Sequence, residues 1–150
     1  MNYSYNYPAF NSSNGIGLEI YLSGCNRKEK CKGCHNPELW NFQYGRKLSL
    51  DELKKIIIPK QKYLDTFVIM GGEPLHQKRE NLIALLDFLI QFDKQIWLYT
   101  SYEINEVPKE IQQYCNYIKT GRYNEKLKTK SNIQYGIQLA SSNQKIYKMK

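Results

Sequence analysis

A chain of 150 residues with 41% hydrophobic and 13% aromatic side chains has the composition of a folded globular protein and the length for one core, so a single domain over 1–150 is expected. No apolar run approaches a membrane span, and Met1–Asn14 is polar and tyrosine-rich, without the basic leader or apolar stretch of an export signal; a cytoplasmic protein with reduced or metal-bound cysteines follows. The formal net charge of +8, with lysines crowded at 126–130 and at 145, 148 and 150, suits a solvated surface, an acidic protein partner such as an electron donor, or nucleic acid, and charge alone does not choose.

In chain order, residues 16–22 predict a first strand, with a cysteine-rich loop directly after it. Ser49 and Glu52 form an S-x-x-E pattern ahead of Leu53, Ile56 and Ile57, which predicts a helix limited by Pro59. Residues 66–70 are a continuous apolar run, the pattern of a strand covered on both faces. Leu82, Leu85, Leu86 and Leu89 recur at helical spacing within about 78–92. Residues 95–100 predict a third strand, and 104–115 a short helix with Pro108 in its first turn. A brief fourth strand is expected at 117–119. Ile133, Tyr135, Ile137 and Leu139 alternate with polar neighbours as in one half-buried strand, and Ser141–Asn143 reads as a turn before a returning strand at 145–149.

This βα rhythm predicts an α/β fold with a mostly parallel sheet. The length supplies too few units for eight strands, so a partial, open βα barrel with room for a C-terminal hairpin is expected. The cysteine loop, Gly71–Pro74, Thr100-Ser101 and Lys119–Arg122 each follow a strand, which gathers them on the sheet edge where ligands bind in such folds.

Cys25, Cys31 and Cys34 are spaced C-x5-C-x2-C. A closed structural zinc site needs four ligands, and the remaining cysteine, Cys115, sits at helical spacing among apolar residues and reads as core. Three clustered thiolates suit a cubane iron–sulfur cluster with one iron open to an external ligand. Arg27, Lys28, Lys30 and Lys32 would favour the thiolates. His35 either lines the cofactor pocket or is a polar loop residue, and His76 reads as a surface or capping residue. Gly71 and Gly72 permit close backbone approach, and carbonyls there, reinforced by Glu73, can accept from an ammonium group. S-adenosylmethionine is the candidate ligand. Arg122 could pair with a carboxylate of the cofactor or partner, or with a surface acid.

These residues together resemble the activating enzymes of anaerobic ribonucleotide reductase, a branch of the radical S-adenosylmethionine superfamily. The resemblance runs from Asn14–Gly17 through Ser23–Cys25, Cys31–Trp40 and Gly71–Leu75 to Ile96–Thr100, Tyr117–Tyr123 and Ser142–Tyr147. The stretch from Cys34 to Trp40 is similar to activases of other glycyl-radical enzymes as well. The family implies that Cys25, Cys31 and Cys34 ligate a [4Fe-4S] cluster. It implies further that Gly71, Gly72, Glu73 and Pro74, with His35 and Thr100, surround S-adenosylmethionine. The implied partners are the large reductase subunit and a flavodoxin-like electron donor, and the implied product is a glycyl radical. Two departures stand out: the family spacing is C-x3-C-x2-C, and Ser101 replaces the glycine common after the threonine. Neither removes a ligand. The competing readings are a radical activase with another target, protein or small molecule, and a zinc-stabilised basic module binding nucleic acid.

Overall fold

The computed structural model describes residues 1–150. Its strands and helices are β1 (Asn2–Ala9), β2 (Gly17–Leu22), β3 (Arg46–Lys47), α1 (Leu50–Ile57), β4 (Thr66–Gly71), α2 (Arg79–Ile90), β5 (Gln95–Tyr99), α3 (Lys109–Gln112), β6 (Tyr117–Thr120), β7 (Lys128–Gln134), β8 (Ile137–Ser141) and β9 (Lys145–Lys148). Seven strands form one mixed, mostly parallel sheet in the order β3-β1-β2-β4-β5-β6-β9, and β7 and β8 form a separate antiparallel pair. No helix is long and apolar enough to cross a membrane.

The four central strands β2, β4, β5 and β6 are parallel and lie in sequence order. Crossovers of constant hand between sequential neighbours put every connecting helix on the same face. Accordingly, Leu53 and Ile57 of α1, the four leucines of α2 and Ile111 of α3 share one core with alternate strand residues Leu18, Ile20, Phe67, Ile69, Ile96, Leu98 and Ile118. The two-residue period of the strands turns Glu19, Tyr21, Val68, Met70, Trp97, Tyr99, Tyr117 and Lys119 to the opposite face. There Trp97 stacks on Tyr117 with centroids 4.3 Å apart, and Leu139 of the β7–β8 pair packs against them.

The helices follow their local signals. Ser49 Oγ accepts from Glu52 N at 3.4 Å at the start of α1, and Pro59 falls in a 3-10 turn after its end. The expected helix over 104–115 is divided instead. A 3-10 turn at Ile104–Glu106 precedes α3, because the residue before a proline is driven out of helical geometry and Val107 is extended ahead of Pro108.

Three expectations at the chain ends are corrected. Residues 2–9, read as polar and tyrosine-rich, form β1, antiparallel to β2 on one side and to the short edge strand β3 on the other. The alternation at 133–139 is two strands, because Tyr135 and Gly136 both take positive φ and reverse the chain. A two-residue loop with two left-handed positions is the favoured hairpin connection, and it leaves Ile133 exposed. The C-terminal hairpin is therefore β7–β8. Residues 145–148 do not return along β8; as β9 they pair antiparallel with β6 and close the sheet.

Candidate functional site

The carboxyl ends of β2, β4, β5 and β6 open into a cavity of about 560 Å³, roofed by the cysteine loop and by β8. That volume lies in the range of small-molecule sites, ~300–1,000 Å³. Of the residues singled out in the sequence, Cys31, Cys34, His35, Gly71, Gly72, Glu73 and Thr100 all line it. Pro74 does not; it is buried beside the cavity and opens a 3-10 turn. Cys25 is half-buried at the start of the loop, with its amide bonded to the Trp40 carbonyl.

The glycine pair is required by backbone packing. Gly71 has φ +130°, and a Cβ there would strike the Leu22 backbone. A Cβ on Gly72 would collide with the Gly24 carbonyl oxygen and lie 2.5 Å from that of Leu39. The glycines thus let β4 end directly against the root of the cysteine loop, where Glu73 N donates to Gly24 O at 2.9 Å. The Gly72 carbonyl receives no hydrogen bond from the chain, which leaves it as an acceptor at the cavity wall. Gly72→Ala is expected to lower stability by about 3 kcal/mol or more, read as a fall in Tm by calorimetry, since both colliding groups are main chain.

Glu73 is buried and its carboxylate takes four donors. Leu75 N (3.0 Å) and Thr100 Oγ1 (2.8 Å) reach Oε1; Ser101 N (2.8 Å) and Ser101 Oγ (2.7 Å) reach Oε2. The side chain therefore ties the end of β4 to the end of β5 and braces the cavity floor, its oxygens already saturated by donors of the chain.

His76 is neither a surface nor a capping residue. Asn26 N donates to its Nδ1 at 2.8 Å, which makes Nε2 the protonated nitrogen, and Nε2 donates to Tyr102 Oη at 2.7 Å. Burial first, then the charges of Arg27 and Lys30, hold its pKa below 6.5 against the opposing pull of Glu73. A lowered folded pKa means the fold favours neutral imidazole, so this contribution to stability is complete above 6.5 and is lost as pH falls through the lower folded value. The Asn26 amide resonance is expected to hold its position above neutrality and to shift on acidification below pH 6.5.

Arg122 forms no ion pair with an acid of the chain and donates to the Glu29 carbonyl, fastening the cysteine loop to the end of β6. Gln144 is buried beneath the hairpin. Its amide donates to Gly121 O at 3.1 Å and accepts from Ala140 N and Ser141 N, so the Ser142–Gln144 stretch stitches β8 to the strand ends.

Comparison with known proteins matches residues 13–147 to the family described as a 4Fe-4S single cluster domain. The anaerobic ribonucleoside-triphosphate reductase-activating protein of Haemophilus influenzae is 32% identical over 132 aligned positions, 79% of each chain. The chain belongs to this family of activating proteins. The Salmonella typhi protein of the same name is 27% identical over the full length of both chains. The pyruvate formate-lyase-activating enzyme of Clostridium pasteurianum is 36% identical over 48% of this chain and 31% of its own.

The donor set fits the cluster that this family's description names. Cys25, Cys31 and Cys34 are free, half-buried and on one loop, while Cys115 is buried in the helix-side core, its thiol bonded to Ile111 O and pushed up to about 12 by burial. No three His, Cys, Asp or Glu side chains converge as ligands of a single ion. A zinc reading lacks its fourth cysteine because Cys115 is buried in the core, whereas a cubane spreads three thiolates over separate corners.

Several site residues of this activating protein escaped the sequence. Tyr21, Met70 and Tyr99 line the cavity from the sheet, beside Lys119, which the sequence had already placed at the ligand-binding edge. The first three look like ordinary strand residues until the two-residue period is assigned to a face. Glu19 lies fully buried behind them and accepts from Asn6, Asn11 and Tyr21. Burial lowers the Lys119 pKa, opposed by the charges of Cys31 and Glu73. An acid and a lysine inside otherwise apolar strands were the available signal.

Proposed function

We propose that this chain activates anaerobic ribonucleotide reductase by generating a glycyl radical on its large subunit, through a [4Fe-4S] cluster and S-adenosylmethionine. The single observation that carries the reading is the placement of Cys31 and Cys34 on the same cavity as Gly71, Gly72 and Glu73. The family match over residues 13–147 and the names of the Haemophilus and Salmonella relatives support it. When bound and reduced by its electron donor, the cluster would supply one-electron cleavage of S-adenosylmethionine to methionine and a 5′-deoxyadenosyl radical able to take hydrogen from a glycine of the reductase.

In this reading Cys25, Cys31 and Cys34 would hold the cluster. Gly71 and the free Gly72 carbonyl receive the ligand's ammonium, with Glu73 and Thr100 fixing that wall and His35 at the rim. Tyr21, Met70 and Tyr99 give the cavity an aromatic and apolar wall that excludes water from the reacting atoms. The sheet, with helices on one face and the cavity on the other, is read as a partial, open βα barrel of the radical S-adenosylmethionine type, in one domain over 1–150. The positive charge, +8, suits an acidic flavodoxin-like electron donor, and the protein is assigned to the cytoplasm.

Anaerobically reconstituted protein is expected to turn brown, release 5′-deoxyadenosine under strong reductant, and give a glycine-radical EPR signal when mixed with the reductase. Colourless protein holding stoichiometric zinc would sink the reading. The half-chain match to a pyruvate formate-lyase-activating enzyme favours a glycyl-radical lyase as the second target, and a radical signal with the lyase alone would select it.

A further inference from the structure

The segment between Cys25 and Cys31 crosses the cavity rim and reaches the end of β5. Its Arg27 guanidinium lies over the Tyr102 ring, 4.3 Å from the centroid, and Arg27 Nε donates to Ser101 Oγ at 2.9 Å. The same hydroxyl donates its one proton to Glu73 Oε2 at 2.7 Å. Ser101 thus accepts from a cation and donates to a buried carboxylate, an order that polarises both bonds in the same sense. Tyr102, the platform under Arg27, is itself held by His76, which accepts from the amide of Asn26 next to Cys25. The loop is therefore clasped on both sides of one dipeptide, Ser101-Tyr102.

We propose that Arg27 and Ser101 are positioning residues that latch the Cys25–Cys31 loop onto the Glu73 brace, so that the cysteine ligands and the Gly72 wall are set as one unit. The role in seating a cluster rests on the function proposed above; the latch itself is a property of the polypeptide. Neither residue ligates anything. Ser101 Oγ acts through Glu73, and Arg27 acts through Ser101 and Tyr102. Arginine is required because lysine has no Nε–H in the guanidinium plane and no flat face to stack.

The test compares full-length wild type with Arg27→Lys, Ser101→Ala, the double variant and Ser101→Thr. Cysteine alkylation by iodoacetamide is read per residue by mass spectrometry in cluster-free protein. Arg27→Lys and Ser101→Ala are each expected to speed Cys25 alkylation about fivefold, and the double by no more than either alone, since they break one path. Ser101→Thr keeps the hydroxyl and should match wild type. Cys115 reports the fold. Unchanged Cys25 rates in both single variants, multiplying effects in the double, or simultaneous exposure of Cys115 would each overturn the latch. In reconstituted protein, the change in the reduced cluster's EPR spectrum on adding S-adenosylmethionine should be altered in the single variants and restored in Ser101→Thr. Wild type that binds no cluster defeats the function above, while the alkylation rates still decide the latch.

Discussion

Cys31→Ser is expected to yield colourless protein whose release of 5′-deoxyadenosine falls to background, a loss on the order of 10³-fold or more. The hydroxyl is protonated at neutral pH and is a hard donor, so two thiolates would be left to hold a cluster that needs three from the chain. The fold should be nearly untouched. Cys31 is a half-buried loop residue outside both hydrophobic clusters, and such positions change stability by roughly 0.5 kcal/mol or less. Cys115→Ala supplies the contrasting control, because it empties a buried core site and should lower Tm while the brown colour and the activity persist. Iron content, visible absorbance and product release measured on both proteins decide the matter. Colour retained by Cys31→Ser and lost by Cys115→Ala would contradict the assignment of ligands.

Glu73→Gln, almost isosteric, is expected to cost about 2–3 kcal/mol and to lower Tm by roughly 5–10 °C for a chain of this size. The reason lies in which donors can turn. Ser101 Oγ and Thr100 Oγ1 are rotors, but Leu75 N and Ser101 N are main-chain donors aimed at different oxygens. Whichever way the amide is placed, its NH₂ faces one N–H that cannot reverse, and a buried donor goes unsatisfied. Since the carboxylate joins the ends of β4 and β5, the cavity wall at Gly72 and Thr100 should loosen with it. The affinity for S-adenosylmethionine is therefore expected to fall even where the cluster is retained. Unchanged Tm and affinity would show that the brace carries no load.

The central sheet was legible because its signals are local. The apolar runs at 66–70 and 95–99, each followed by a helical leucine or isoleucine pattern, specify parallel strands with crossovers whatever the rest of the chain does. The cavity-lining loops were legible for the same reason: the cysteines and the Gly71-Gly72 pair stand at strand ends, and strand ends share one edge. Where two signals competed, the sequence misled. At 133–139 the apolar alternation suggested one strand, but Gly136 marked a reversal, and the left-handed pair Tyr135-Gly136 won because a two-residue turn matches the strand twist. β1 carried few of the usual strand cues beyond its tyrosines, and its place depends on the edge that β2 offers for pairing.

By itself, then, the order of residues determined the α/β rhythm, the three free thiols and the glycine-lined edge, all of which depend on neighbours within a few positions. Only the tertiary structure decided that Glu73 is saturated by Thr100, Ser101 and Leu75, that Arg27 reaches Ser101 across 74 positions, and that Tyr21 and Tyr99 face a cavity instead of a core. Those outcomes rest on which face each strand turns outward and on polar groups finding partners from distant segments when water is excluded. Periodicity along one strand does not contain that information; the packing of the others supplies it.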